Sequence, residues 1–407
     1  MIRLALGNFE CDWTVDPTIN DHSALFQECD AFPRLDEHEV DLEVEGLKRP
    51  LGQIVNRLEL LGYSLEYART EFEWSAYPGI FDSNFFSFEM FAGALAELDV
   101  AAVSPVYPSK KRTTFFSAEI AKRLGLKTRK ISQNATISTL SYAMQRLSAG
   151  SILRLLAENP SNLSLDVVWR TDDVFGMQFA TFNDKPPLKE SNRFLLVTEG
   201  SSDASIIKRA FDLYMPEVSD FFKYVDMDKG YPFTGTGNVY NFAKGIASIG
   251  IENKVLIIYD NDAEGIYNYG RTIDLLENAK NIAVMLLPQL PLADRTFKSV
   301  GPDGQRMSDI DASACAIECY LDLGPNTRIR WTNYNKHLDR YQGELERKEV
   351  YTKQFLNPNL RKENYRSDKL ILLLKSIVSH CSAMRSAIEI TSVPLRYPVH
   401  FNGLTVS

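Results

Sequence analysis

The chain reads as an α/β protein: a doubly wound, mainly parallel sheet, preceded by an α+β N-terminal region and followed by a mostly helical C-terminal region. Three observations predict this. From residue 191, short apolar runs alternate with helix-length amphipathic segments, the order that builds a parallel sheet with crossover helices. The first and third runs, Arg193–Thr198 and Lys254–Tyr259, each lead straight into acids: Glu199-Gly200 after the first, Asp260-Asn261-Asp262 after the third. A break at Asn183-Asp184-Lys185-Pro186-Pro187 sets this alternation apart from what precedes it.

Before the break, Leu51, Ile54, Val55, Leu58 and Leu61 have helical spacing, with Gly62 as a C-terminal stop. Phe85–Leu98, Ser117–Leu124 and Ser138–Leu147 also read as helices. Leu163–Trp169 and Phe175–Phe182 alternate like strands. Beyond the break comes strand 193–198, then a helix from Ser202 to Met215 with Ser202 or Asp203 as its N-cap. Strand Phe221–Met227 precedes the turn Thr234-Gly235-Thr236-Gly237-Asn238 and a helix from Val239 to Ile249. Strand 254–259, helix Gly265–Asn278 and strand Ile282–Leu287 complete the alternation. Gly301-Pro302-Asp303-Gly304 marks a β-hairpin within Phe297–Met307, and a helix over Asp311–Leu321 closes the unit. The remainder holds a charged helix from Asn335 to Phe355 and an amphipathic one from Asp368 to Ile388. The domains expected are 1–185, 191–324 and 325–407.

Composition bounds the rest. Of 407 residues, 44% are hydrophobic and 24% charged, which are globular values. No apolar run reaches membrane-spanning length and no signal-peptide core opens the chain, so a cytoplasmic protein without membrane contact is expected. The five cysteines are scattered; only Cys315 and Cys319 are close, at the spacing of one helix face and not of a zinc knuckle. The net charge of −8 is unevenly spread. Acids crowd residues 28–45. Bases crowd 108–130, with Lys110, Lys111 and Arg112 beside Phe115 and Phe116. The basic stretch is either a phosphate-contacting surface or a solvated loop and helix face, the more usual meaning of a charge run.

The acids carry the chemistry. Ligands of open parallel sheets bind beyond the carboxyl ends of the strands, where Glu199, Asp260 and Asp262 fall. In extended chain, Asp260 and Asp262 present their side chains to the same side. Three carboxylates there form a hard oxygen site suited to magnesium, and Glu199 can serve as ligand or general base. Asp203 is either a further ligand or a helix cap. Gly235 and Gly237 either cradle phosphate at a helix start or only make a tight turn. Lys298 and Arg306, on the hairpin, are weaker candidates for phosphate contact. Asp226 and Asp228 repeat the Asp-x-Asp spacing at a turn, and Asp309 and Asp311 read as caps of the last helix.

V-T-E-G-S-S-D (197–203), the turn T-G-T-G-N (234–238), I-I-Y-D-N-D-A-E-G (257–265) and M-S-D-I-D-A-S-A-C-A-I-E-C-Y-L-D-L (307–323) together resemble a TOPRIM domain of the nuclease branch, over about 191–324. That resemblance implies a Rossmann-like TOPRIM sheet and a catalytic set of Glu199, Asp260 and Asp262. It also implies two magnesium or manganese ions, held with help from Glu318 and Asp203. L-G-N-F-E-C-D-W (6–13), H-S-A-L-F (22–26) and R-L-E-L-L-G-Y-S-L-E (57–66) resemble the HEPN/Toprim-associated N-terminal domain of bacterial antiphage-defence proteins. The HEPN ribonuclease motif Arg-x-x-x-x-His is missing, and so is a Walker loop, so no nucleotide cofactor is expected on this chain. The resemblance implies a magnesium-dependent nuclease, cutting DNA or RNA as a defence effector. The alternative is a non-cleaving regulatory subunit that binds nucleic acid or a nucleotide. Expected partners are the nucleic-acid substrate and either a second copy of the chain or a regulatory sensor such as an ATPase. The aromatic-rich N-terminal region is expected to dock that partner.

Overall fold

The computed structural model describes residues 3–12, 21–33, 44–75, 87–103, 112–124, 140, 141, 143–170, 188–225, 235–301, 304–336 and 338–396. The contacts divide the chain into two units: Met1–Lys189 together with Arg385–Ser407, and Glu190–Met384. The break expected at 183–187 lies outside the described residues, beside the observed division.

In the first unit, β1 (Arg3–Leu6), β2 (Phe9–Glu10), β3 (Ala31–Pro33), β4 (Val44–Pro50) and β5 (Asp166–Arg170) form an antiparallel sheet in the order β2-β1-β5-β4-β3. Helix Leu51–Leu61 follows β4 directly, buries Leu51, Ile54, Leu58 and Leu61, and ends at Gly62, whose φ of 97° is open to glycine. The Arg57 side chain is wholly buried and donates to the Ala24 and Phe26 carbonyls, at 2.8 to 3.1 Å. The helix expected from Phe85 runs Phe88–Ala96, capped by the Ser87 hydroxyl accepting from the Met90 N–H. The one expected from Ser117 begins at Arg112. Residues 140, 141 and 143–146 are helical. The strand expected at Phe175–Phe182 lies outside the described residues.

In the second unit, β6 (Phe194–Val197), β7 (Phe222–Tyr224), β8 (Lys254–Tyr259) and β10 (Ile282–Leu286) form a wholly parallel sheet in the order β10-β8-β6-β7. All six residues of β8 are buried, as a central parallel strand covered on both faces requires. Right-handed crossovers place the connecting helices on opposite faces when the strand order reverses. Val239, Ala243 and Ile246 of helix Thr236–Ile249 and Leu276 of helix Ala263–Leu276 accordingly share one core with Val197, Val255 and Ile257. On the other face, Phe211 of helix Ser201–Tyr214 stacks on Phe222, at 4.3 Å between ring centroids. The region is thus mixed α/β with a parallel sheet, and its order reverses between β6 and β8.

Two expectations fail beyond β10. No helix spans Asp311–Leu321; Ala314–Cys315 (β13) pairs with Asn261–Asp262 (β9), and Ile317–Tyr320 is a single 3-10 turn. Cys315 and Cys319 are both buried and free, on strand and turn instead of one helix face. The charged helix expected over Asn335–Phe355 is mostly strand: β14 (Arg328–Asn335) and β15 (Arg340–Leu345) precede a short helix, Lys348–Phe355. β14 joins the hairpin that was expected, β11 (Thr296–Gly301) with β12 (Gly304–Asp309), in a sheet ordered β12-β11-β14-β15. Helix still covers most of the described C-terminal region, but its solvated strands carry charges that mimic a surface helix. The last helix, Asp368–Arg396, runs on beyond its expected end at Ile388. Its Asp368–Ser392 stretch, with mean hydropathy 1.2 over its most apolar 18 residues, is long and apolar enough to cross a membrane by length and composition alone, which the run-by-run sequence reading missed. Within it Leu370, Leu373, Leu374, Ile377 and Cys381 are fully buried.

Candidate metal centre at the strand ends

A ligand crevice in an open parallel sheet lies beyond the strand ends where the order reverses, here between β6 and β8. Glu199 follows β6 and Asp260 follows β8. The Asp260 backbone N–H donates to Glu199 Oε1 at 3.0 Å, tying the two strand ends together. Asp262 is buried and caps helix Ala263–Leu276, its Oδ1 accepting from the Gly265 N–H at 2.8 Å. Gly265 is required there: a Cβ on it would stand 2.1 Å from the Asp260 carbonyl oxygen.

Asp203 is neither the N-cap nor remote from the acids. Gly200 is the N-cap; Asp203 occupies the third position of the helix and accepts from the Gly200 N–H at 2.9 Å and the Ser202 hydroxyl at 3.1 Å. Glu318, on the 3-10 turn, is buried. Asp260 lies at the centre of this group: burial, then Glu199, Asp203, Asp262 and Glu318 in turn, hold its carboxyl well above the usual range. Burial and the Asp262 charge push Glu199 up to about 8. Burial and the Glu318 charge push Asp203 up to about 6. Asp262 and Glu318 are raised too, chiefly by burial. Two buried and three half-buried carboxyls, several of which raise one another, form an oxygen-rich, electron-rich set whose ionisation calls for a cation.

Such a donor set fits a hard divalent ion by chemistry. Among the described residues, however, no three His, Cys, Asp or Glu side chains are already drawn together as a metal-binding group. Glu199, Asp203 and Asp262 instead direct oxygens at the protein's own donors.

Three participants gave no sequence signal. Gln342 of β15 donates to Asp262 Oδ2 through its amide nitrogen, and its carbonyl accepts from the Glu264 N–H at 3.1 Å. Lys348 begins the helix after β15; burial alone would lower its ammonium, but Glu318, Glu344 and Asp260 outweigh it and hold it above its ordinary value. Glu264 adds to the charge that raises Glu199 and Asp262. All three depend on tertiary placement, two of them on a hairpin region that reads as a helix.

The remaining candidates separate. Gly235 has a φ of 90° and caps helix Thr236–Ile249, and its N–H donates to the Glu199 carbonyl at 3.3 Å. Gly237 lies in that helix's first turn. Lys298 and Arg306 are exposed on β11 and β12. Asp309 and Asp311 cap no helix; they pair with Arg295 at 3.0 and 3.8 Å, and Asp311 also accepts from Asn261 and Gln289. Lys110, Lys111, Asp226 and Asp228 lie outside the described residues. Arg112 begins its helix.

Residues 1–191 match the family model of the HEPN/Toprim N-terminal domain 1, so this part of the chain carries that domain. No curated protein and no solved structure matches the chain.

Proposed function

We propose that the second unit is a TOPRIM-type, magnesium-dependent nuclease whose first unit regulates or docks it. The observation that carries this reading is the convergence of Glu199, Asp203, Asp260, Asp262 and Glu318 where the parallel sheet reverses its order. The HEPN/Toprim N-terminal domain, by its name a companion of TOPRIM units, supports it.

In this reading Asp260 and Asp262, with Glu199 as a further ligand or as the base, would hold one magnesium or manganese ion, and Asp203 with Glu318 would help hold a second. Such ions, when bound, would neutralise charge at the scissile phosphate and lower the pKa of the attacking water. Glu199, if left off the ions, would be the base that takes that water's proton. Gln342 fixes the orientation of Asp262, and Lys348 offers a positive charge on the same side. The protein acts in the cytoplasm as an antiphage effector on DNA or RNA, as a homodimer or with a sensor protein such as an ATPase. The test is incubation of the purified chain with plasmid, single-stranded DNA and total tRNA, with magnesium, with manganese and with chelator. Metal-dependent loss of any substrate is expected; intact substrates throughout would overturn the reading.

One observation favours a second reading. The acids already bond to Asp260, Gly265, Gly200 and Gln342 within the protein. A regulatory subunit that binds nucleic acid or a nucleotide without cutting would keep them so, and would bind the same substrates in the assay unchanged.

A further inference from the structure

One face of the sheet β12-β11-β14-β15 is rich in exposed bases, and the register says which side chains share it. Lys298 pairs with Met307 on one side and Arg328 on the other; Val300 pairs with Arg330, and Arg330 with Glu344. Along β15, Glu344, Gln342 and Arg340 alternate onto that same face. The opposite face carries Ser299, Ile329 and Leu345, all buried. Lys298, Arg328, Arg330 and Arg340 are all exposed. The face also holds two acids, both already engaged: Glu344 with Arg330 at 3.3 Å and Lys348 at 3.4 Å, and Asp309 with Arg295 at 3.0 Å. Among the described residues no carboxylate pairs with Lys298, Arg328 or Arg340. On a chain of net charge −8, such a surplus concentrated on one face is a local anion-attracting field.

This face also leads to the acids. Gln342, in line with Arg340 and Glu344, is the residue that donates to Asp262. A flat sheet face does not enter a duplex groove, which admits a helix or a protruding ribbon. It does suit an extended single strand laid across it, with cations meeting successive phosphates. We propose that Lys298, Arg328, Arg330 and Arg340 form the track that carries the phosphate backbone of a single-stranded nucleic acid to the Asp262 side of the acidic centre. The inference deepens the nuclease reading and rests on it for the identity of the substrate.

Binding is measured by fluorescence anisotropy with a labelled 30-nucleotide DNA strand, an RNA strand of the same length and a 30-base-pair duplex. Chelator is present, so that nothing is cut, and the salt concentration is varied. The triple variant Lys298→Ala/Arg328→Ala/Arg340→Ala, altered only at exposed positions, should bind single strands on the order of ten-fold more weakly, its salt slope smaller by about 2, from roughly 0.7 per lost phosphate contact. Lys298→Ala alone should remove about a third of that slope change. An unchanged slope in the triple variant, no binding by the unaltered protein, or tighter binding of the duplex than of either strand would each overturn the track. Cleavage is scored separately with magnesium. A protein that binds as described but never cuts keeps the track and loses the nuclease assignment; one that cuts while the triple variant keeps its slope does the reverse.

Discussion

Glu199 accepts a hydrogen bond from the backbone N–H of Asp260 at 3.0 Å, so the acid after the first parallel strand is fastened to the chain leaving the third. Positions 61 residues apart are held in one place by the pairing of β6 with β8 and by this bond. The chemistry expected of the site follows from that placement.

Replacing Glu199 by Gln or Asp262 by Asn should lower metal-dependent cleavage on the order of 100-fold or more, because each removes a charge needed by the ions or the base. Asn still accepts from the Gly265 N–H, so the cap survives. Losing one of several mutually repelling carboxylates should leave the melting temperature unchanged or slightly higher. Cleavage rates, calorimetric magnesium titration and thermal melts check this together; full activity in both variants would sink the site.

Gln342→Leu removes the donor that orients Asp262 and the acceptor for the Glu264 N–H. Residues that orient a ligand typically contribute 10- to 100-fold to metal affinity or rate, so the midpoint of magnesium activation should rise by about 10-fold. Glu344→Gln, on the same strand two residues away, should shift it far less. Equal midpoints for the Leu variant and the unaltered protein would show that Gln342 is only a surface amide.

Gly265→Ala places a methyl group against the Asp260 carbonyl, which is backbone and cannot rotate away. Strain of about 1–3 kcal/mol is expected, seen as a lower urea midpoint with an unchanged slope. Activity should fall as well, since the carbonyl belongs to the residue at the centre of the acidic group.

The pH dependence of stability has a definite sign. Glu199 at about 8, Asp203 at about 6, and the raised Asp260, Asp262 and Glu318 all bind protons more tightly folded than unfolded. Their contribution is full below the ordinary carboxylate range and is lost as pH rises through the folded values, so the metal-free protein should weaken between about pH 5 and pH 8. The buried Glu71 of the first unit, also raised, adds in the same direction. A fall of roughly 5 °C in melting temperature over that window is expected in chelator, reduced by magnesium and smaller in Glu199→Gln. A melting temperature that climbs with pH in chelator would contradict the electrostatics of the site.

The parallel sheet was legible because buried parallel strands announce themselves locally: Lys254–Tyr259 is a continuous apolar run, and its acids follow at once. Asp203 was legible as an acid near the site but not as the third residue of its helix, since cap and third position differ by backbone geometry that composition does not carry. The hairpin Arg328–Leu345 was misread because its exposed face is charged, like a surface helix, and its partner strand β11 lies some 30 residues earlier. The first sheet was hardest, for β5 pairs with β1 across more than 150 residues and nothing local records it. Gln342 had no signal at all, because a lone glutamine acquires meaning only from the carboxylate it meets.

The last helix begins among residues of the second unit, but from Arg385 onward it belongs to the first. There the Arg385 guanidinium donates to the Leu61 carbonyl at 3.3 Å, and Ser386 meets the Ser64 hydroxyl. During synthesis the ribosome therefore releases the first 189 residues early, yet the piece that finishes their unit emerges only after all of Glu190–Met384 has been made. The acidic unit can fold while the other is still waiting for roughly its last three turns of helix. A nascent chain stalled once Glu190–Met384 has emerged, but before the residues from Arg385 on, would thus carry a complete set of acids and an unfinished companion unit.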